Sequence, residues 1–361
     1  MNEWAIIGAS GFIGLRTVAG LHGRDGVTVR PIVRAPSSLA VLARRRPSWR
    51  IADPKDRAAL TEALRGCSVC VHAAIGDPYQ IESMARTAVE ACAAAGVRRL
   101  VWLSSSSVHG QNPDAGTDET SALHDRHPLA YNNAKVRAER ILEKLGRTSG
   151  VEIVRLRPGV VYGPRSRWIT SAAADLRSRR AGWIDGGRGL CNSIHVDNLV
   201  HAIRLAALTP AAAGHAFLVG DAETVTWRDF LLPVATHLGF DASAFADVTP
   251  APVVPERTSR FDAFCRTAFY RALGDLCPDQ PKRLIKAAFV AWTSPRRPAQ
   301  VWTLPSAPKP YLSAEYTLLQ QCRWKLPHDK AARLLGYTPP VSFEAGLSDS
   351  LAWLDFAEGR P

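Results

Sequence analysis

The chain is 361 residues long, with 46% hydrophobic and 22% charged side chains, a composition that suits a soluble globular protein with two lobes around shared interior packing. No apolar run reaches the ~18 residues needed to span a bilayer, and Glu3 and Gly8 break up the opening stretch too early for a secretory signal, so a cytoplasmic protein is expected. The formal net charge of +12 does not indicate nucleic acid, because acidic residues are interspersed among the arginines and no basic tract alternates with aromatics.

In chain order, Trp4–Ile7 is a short apolar strand that meets Gly8, Gly11 and Gly14, followed by Leu15–Leu21 at helical spacing. Strand, glycine turn and helix together are the context in which such glycines hold a dinucleotide. The first permits a tight turn, the second lets a pyrophosphate reach the backbone, and the third lets helix and strand pack closely. The helix N-terminus adds unpaired N–H groups. Val27–Val33 is a second strand, ending at Arg34 where an acidic residue would favour a bare ribose hydroxyl. A guanidinium there, with Ser37 and Ser38 beyond it, suits a 2′-phosphate, so NADP(H) is favoured over NAD(H).

Ile51–Asp53 reads as a brief third strand, with Asp53 expected to bond the adenine amino group. A helix over 56–64 precedes the strand Val69–Ala74, whose small tip at Ala73 and Ala74 lets a cofactor backbone lie against the sheet edge. Cys67 and Cys70 have the spacing of a redox pair, but their apolar surroundings predict packing, and the odd set of seven cysteines shows no metal-like clustering. A helix over 81–95 stops at Gly96, and the strand Leu100–Leu103 runs into four serines, Ser104–Ser107. Alternating strands and helices predict an α/β fold with a doubly wound parallel sheet.

Tyr131 and Lys135 lie four apart, on one face of a predicted helix. A cation one turn away would favour the phenolate and bring the tyrosine's proton exchange nearer neutral pH. The ammonium would also give a ribose hydroxyl a partner.

With these pieces in order, the sequence resembles the extended short-chain dehydrogenase/reductase superfamily, its epimerase/dehydratase branch. The resemblance rests on Gly8, Gly11 and Gly14, on 72–74, 104–110, Tyr131 and Lys135, Arg157–Pro164 and His195–Asp197, and more loosely on 330–347. It implies a Rossmann-type sheet, a smaller and mainly helical C-terminal substrate lobe, and an NAD(P)-dependent enzyme. The implied domains are 1–165 with a returning segment at about 190–220 for the cofactor, and 166–189 with 221–361 for the substrate. It implies Ser105, Tyr131 and Lys135 as catalytic residues, Ser105 being the position before Val108-His109-Gly110 that carries the family's serine or threonine. The expected cofactor contacts are Gly8, Ser10, Gly11, Phe12, Ile13, Gly14, Arg34, Asp53, Ala73, Ala74, Lys135 and Pro158. Homodimers are common in the superfamily.

Several departures bear on substrate. Val160 and Cys191 stand where nucleotide-sugar enzymes tend to carry an asparagine and an arginine, and Ser83 replaces a common asparagine. The run 192–199 looks more like reductases and hydroxysteroid-type dehydrogenases. Arg165, Arg167, Arg177, Arg179, Arg180 and Arg188 are nonetheless able to receive an anionic substrate group. His195 is expected as a structural histidine in a strand returning to the sheet, and Asp197 as a residue that starts a helix or fixes a turn. A helical insertion over about 257–310 carries a basic, aromatic amphipathic stretch at 282–297. Such a stretch more often packs on its own domain than lies on an anionic membrane or closes over a substrate.

The leading expectation is an oxidoreductase acting on a secondary alcohol or ketone of a small or medium-sized metabolite. The alternatives are a nucleotide-sugar epimerase/dehydratase and, more remotely, a non-catalytic NADP-sensing protein.

Overall fold

A computed structural model describes residues 2–45, 48–75, 77–253 and 310–359. The predicted insertion at 257–310 and its amphipathic stretch fall almost entirely outside the described residues. In chain order the strands begin with β1 (Asn2–Ile7), β2 (Val27–Val33), β3 (Arg50–Ile51), β4 (Val69–His72), β5 (Arg99–Leu103) and β6 (Glu152–Pro158). They continue with β7 (Val160–Tyr162), β8 (Gly182–Trp183), β9 (Leu190–Cys191), β10 (Ser193–His195) and β11 (Ala216–Val219). Seven of them form one parallel sheet in the order β11-β6-β5-β4-β1-β2-β3.

Every residue of β4 and β5 is buried, the signature of a parallel sheet covered on both faces. Alternate side chains go to opposite layers. Trp4, Ile6, Val71, Val101 and Val154 pack with Val18 of α1 (Phe12–Leu21) and with Leu199 and Ile203 further along the chain. Ala5, Ile7, Cys70, Leu100 and Trp102 pack on the other side, with Leu60 of α2 (Arg57–Leu64), Met84 and Ala88 of α3 (Pro78–Ala95), and Ala134 and Ala138 of α4 (Ala130–Gly146). Cys67 and Cys70 are buried free thiols pushed up by their surroundings, Cys67 to about 11 by burial, so packing is their role.

The strand order turns back beside β1, and the carboxyl ends of β1, β4, β5 and β6 therefore line one crevice. A third core gathers Tyr162 of β7, Ile169 of α5 (Arg167–Arg177), Trp183 of β8, and residues that follow the sheet. These are Trp227 and Phe230 of the helix Trp227–His237 and Leu347 of the helix Phe343–Glu358. Two expectations change. The third strand ends at Ile51, leaving Asp53 in the turn after it. His195 closes β10, which pairs with β7 in a separate two-stranded ladder rather than returning to the main sheet. No helix among the described residues is long and apolar enough to cross a membrane.

Candidate active site

The glycine turn is shaped by close backbone approach. Gly8 has φ +80°, and a Cβ there would stand 2.7 Å from the Ala74 backbone. A Cβ on Gly14 would stand 2.1 Å from the Gly8 carbonyl oxygen, so neither position admits a side chain. Gly11 is the N-cap of α1 and supplies no side-chain cap, which leaves the first N–H groups of the helix directed at the crevice mouth. Ser10, Phe12 and Ile13 are half-buried on this turn, with Ile13 leaning on the sheet layer. Ala73 and Ala74 follow β4 directly, and Pro158 ends β6 two strands away. Side-chain-free positions at Gly8 and Gly14 and an uncapped first turn of α1 are chemically suited to a dinucleotide phosphate.

On the same side, Ser105 follows β5 and opens a short 3-10 turn, where its hydroxyl oxygen accepts from the Ser107 N–H at 3.2 Å. Tyr131, in the first turn of α4, lies near enough to Ser105 for that hydroxyl to pull its phenol down. One turn on, the buried Lys135 ammonium donates to the Leu103 carbonyl oxygen at 2.7 Å. It lies 5.5 Å from the Trp102 ring centre and 5.6 Å from that of Tyr131. The three predicted residues are thus gathered by the end of one strand and the start of one helix.

Their electrostatics differ from the expectation. Burial pushes the Tyr131 phenol up to about 12, with the Glu315 carboxylate adding to the rise and Arg167 and the Ser105 hydroxyl opposing it. Lys135 is not among the charges that move it. Burial also brings the lysine itself down to about 8, against the opposing pull of Glu139. Burial of the phenol and the bond from Lys135 to Leu103 both work against the expected acidification of Tyr131 by Lys135.

Beneath these residues lies a buried ionic layer. Glu139, a further turn along α4, accepts from Ser104 Oγ at 2.5 Å and from the Arg157 fork at 3.0 and 2.7 Å. Arg157 also meets the His109 ring nitrogen at 3.1 Å. Glu139 is buried, and although burial works against its charge, Arg157 and Arg155 hold its carboxyl below the usual range. The spacing of Tyr131, Lys135 and Glu139, each four apart, was the available signal for this residue. Glu315 had none, since it lies 184 positions from Tyr131 along the chain.

Other expected positions sort differently. Arg34 is exposed beyond β2 and makes no ion pair among the described residues. Asp53 already accepts from the Lys55 N–H at 2.9 Å and stands 3.7 Å from its ammonium. The His195 ring caps the helix α6 (Val196–Leu208) by accepting from the Asp197 N–H, while its buried Nε2 has no hydrogen-bond partner among the described residues. Asp197 sits in the first turn of α6 and takes both donors of Arg16 at 2.5 and 2.6 Å, tying α6 to α1. Most of the arginine cluster is engaged: Arg167 with Glu315, Arg177 with Glu358, Arg180 with Asp175, and Arg188 with Asp185. Of these only Arg167 also acts on Tyr131. Ser83 bonds the Gln80 carbonyl of its own helix at 2.9 Å.

Comparison with known proteins agrees with this arrangement. Residues 8–177 match a family model described as NAD(P)H-binding. The chain is 25% identical over 354 residues to a 4-hydroxy-2-methyl-3-oxo-4-farnesyl-3,4-dihydroquinoline-1-oxide ketoreductase of Stigmatella aurantiaca, across 95% of this chain and 93% of that protein. It is 31% identical over 257 residues to a 3-diazoavenalumate denitrifying reductase of a Streptomyces species, across 65% of this chain and 81% of the relative. Among solved structures, the dTDP-glucose 4,6-dehydratase DesIV of Streptomyces venezuelae, with NAD bound, has a TM-score of 0.70 at 20% identity, covering 99% of this chain and 98% of that one. That structural likeness speaks for the fold. Sequence order, sheet topology and relatives converge, and the chain belongs to the extended short-chain dehydrogenase/reductase family of NAD(P)-dependent enzymes.

Proposed function

We propose that this enzyme is an NADP(H)-linked reductase that converts a ketone of a small or medium-sized metabolite to the secondary alcohol. The observation that carries the reading is the gathering of Ser105, Tyr131 and Lys135 at the end of β5, where burial keeps the phenol above its ordinary value. A phenol in that state is a proton donor at neutral pH. A bound nicotinamide would supply the hydride. Ser105 donates to the carbonyl oxygen as it gains charge, and Tyr131 gives that oxygen its proton. Lys135 holds the strand end and offers its remaining N–H donors to a ribose hydroxyl. Gly8, Gly11, Gly14 and the N-terminus of α1 take the pyrophosphate, while Ala73, Ala74 and Pro158 leave room beside it. Arg34, with no carboxylate partner among the described residues, supports a 2′-phosphate and hence NADP(H).

The epimerase/dehydratase alternative begins with an oxidation, for which Tyr131 must first act as a base. Burial favours the protonated phenol over that base, and Val160 and Cys191 stand where two familiar sugar-diphosphate contacts would be. The reading also supports catalysis over mere NADP sensing, since a sensor has no need of Ser105, Tyr131 and Lys135 together. Incubation with NADPH and a ketone panel tests it. Net NADPH consumption that Tyr131→Phe abolishes is expected. Retained cofactor without net turnover would favour the epimerase instead.

A further inference from the structure

After burial, the charges that bear on the Tyr131 phenol are Glu315, which raises it, and Arg167, which lowers it. These two come from different elements, Arg167 from the first position of α5 and Glu315 from the first turn of the helix Ala314–Gln320. They meet as an ion pair in which one guanidinium nitrogen of Arg167 bonds both carboxylate oxygens, at 2.8 and 3.1 Å. The pair is open to solvent, the Arg167 side chain being 66% and that of Glu315 33% exposed. An exposed pair of this kind contributes little to stability and is readily exchanged for another anion.

The setting of Arg167 favours such an exchange. Its guanidinium lies over the Trp168 ring, 4.6 Å from the centre, which fixes the plane of the fork. Trp168 in turn leans on Tyr316 and Trp227, each with ring centres 5.9 Å away, and both Trp168 and Tyr316 are only half-buried. A planar cation on an aromatic support, opening the helix that follows the carboxyl end of β6 at the crevice, matches a substrate that carries a carboxylate on an apolar or aromatic frame. The neighbouring arginines with carboxylate partners, Arg177, Arg180 and Arg188, have no comparable relation to Tyr131.

We propose that Arg167 is a specificity-determining residue that receives a carboxylate borne by the ketone substrate, in exchange for Glu315. This rests on the reading of Tyr131 as the proton donor to that ketone. Glu315 then acts as a resident competitor: it screens Arg167 from adventitious anions and is displaced only by a carboxylate whose ketone also reaches Tyr131 and Ser105. A neutral ketone of the same shape gains the Tyr131 contact alone and leaves the ion pair in place.

The test uses the full chain loaded with NADP⁺ and two matched probes, 4-acetylbenzoate and 4-acetylbenzamide, with binding measured by calorimetry. The unaltered protein is expected to bind the carboxylate roughly tenfold or more tightly than the amide. Arg167→Gln should erase that preference while leaving amide binding unchanged. Glu315→Gln should widen it, because the competitor is gone while the cation remains. A preference that survives Arg167→Gln, or one absent from the unaltered protein, overturns the proposal. NADPH consumption with the same probes reports separately on the reductase: if Tyr131→Phe turns the ketone over as fast as the unaltered protein, the reductase reading fails even where the carboxylate preference stands. Thermal unfolding of both variants at this exposed pair should match the parent, and a large loss there would mark a structural role and also count against the proposal.

Discussion

The Lys135 ammonium donates to the Leu103 carbonyl oxygen at 2.7 Å, fastening the helix that bears Tyr131 to the strand end that bears Ser105. The bond explains two features together. It brings Tyr131 and Ser105 together by joining their supporting elements, and it occupies one donor of an ammonium that stands 5.6 Å from the Tyr131 ring.

Removing the phenolic oxygen should therefore affect chemistry more than binding. Tyr131→Phe is expected to lower kcat by ~10²–10⁴-fold with little change in NADPH affinity. Ser105→Ala should fall in the same direction by a smaller factor, since one of two donors to the oxygen remains. Steady-state NADPH oxidation together with cofactor fluorescence titration checks both.

The glycine turn predicts a sharper, steric outcome. Gly14→Ala forces a methyl to 2.1 Å from the Gly8 carbonyl oxygen, so helix α1 must move away from the turn. Loss of measurable NADPH binding and a lowered unfolding temperature are expected. Gly11→Ala, whose Cβ would meet its nearest atom at 3.3 Å, should retain the fold and lose less. Fluorescence titration and thermal melts of the two variants decide the order.

The proposed preference for NADP(H) rests on Arg34. Arg34→Ala should weaken NADPH binding by on the order of tenfold to a hundredfold and leave NADH nearly untouched, because a surface cation is worth most against a phosphate dianion. The ratio of kcat/KM for the two cofactors is the measurement. Equal losses for both would assign Arg34 to stacking on adenine instead.

Glu139 is the buried counter-charge of Arg157, with side-chain exposures of 2% and 4%. Glu139→Gln leaves that guanidinium uncompensated and is expected to cost about 3–5 kcal/mol, read from urea unfolding at pH 7. It also removes the group that opposes the depression of Lys135, so the alkaline limb of the pH–rate profile should move to lower pH. A merely structural role would lower stability without moving that limb.

Acid should destabilise the fold through His72. The ring is buried, stacked 4.3 Å from Trp102, and brought down to about 3 by burial, with Lys135 adding to the fall. Between that value and its ordinary 6.5 the unfolded chain binds a proton that the folded chain does not, so stability drops as pH falls through this window. At pH 5 the loss from this one group is about 2 kcal/mol, from 1.36 kcal/mol per unit over the interval below its ordinary value. Urea unfolding at pH 7 and pH 5 measures it, and His72→Phe, which keeps the stacking, should reduce the difference.

Local patterns made much of this legible in the residues themselves. Buried runs at 69–72 and 99–103, the glycines at 8, 11 and 14, and the four-residue spacing of Tyr131 and Lys135 each encode their geometry within one turn or strand. Cys67 and Cys70 read as packing for the same reason. His195 was placed in the wrong sheet, because three residues of β10 satisfy strand periodicity equally well against β7 or the main sheet.

What the sequence determined by itself was the order of elements, the cofactor turn and the three residues gathered at the strand end, since these depend on neighbours close along the chain. Only the tertiary structure decided which groups surround those residues. Desolvation of Tyr131, the engagement of Lys135 with Leu103, and the approach of Arg167 and Glu315 depend on residues up to 184 positions apart, and the charge on a buried group answers to everything packed around it rather than to its place in a motif.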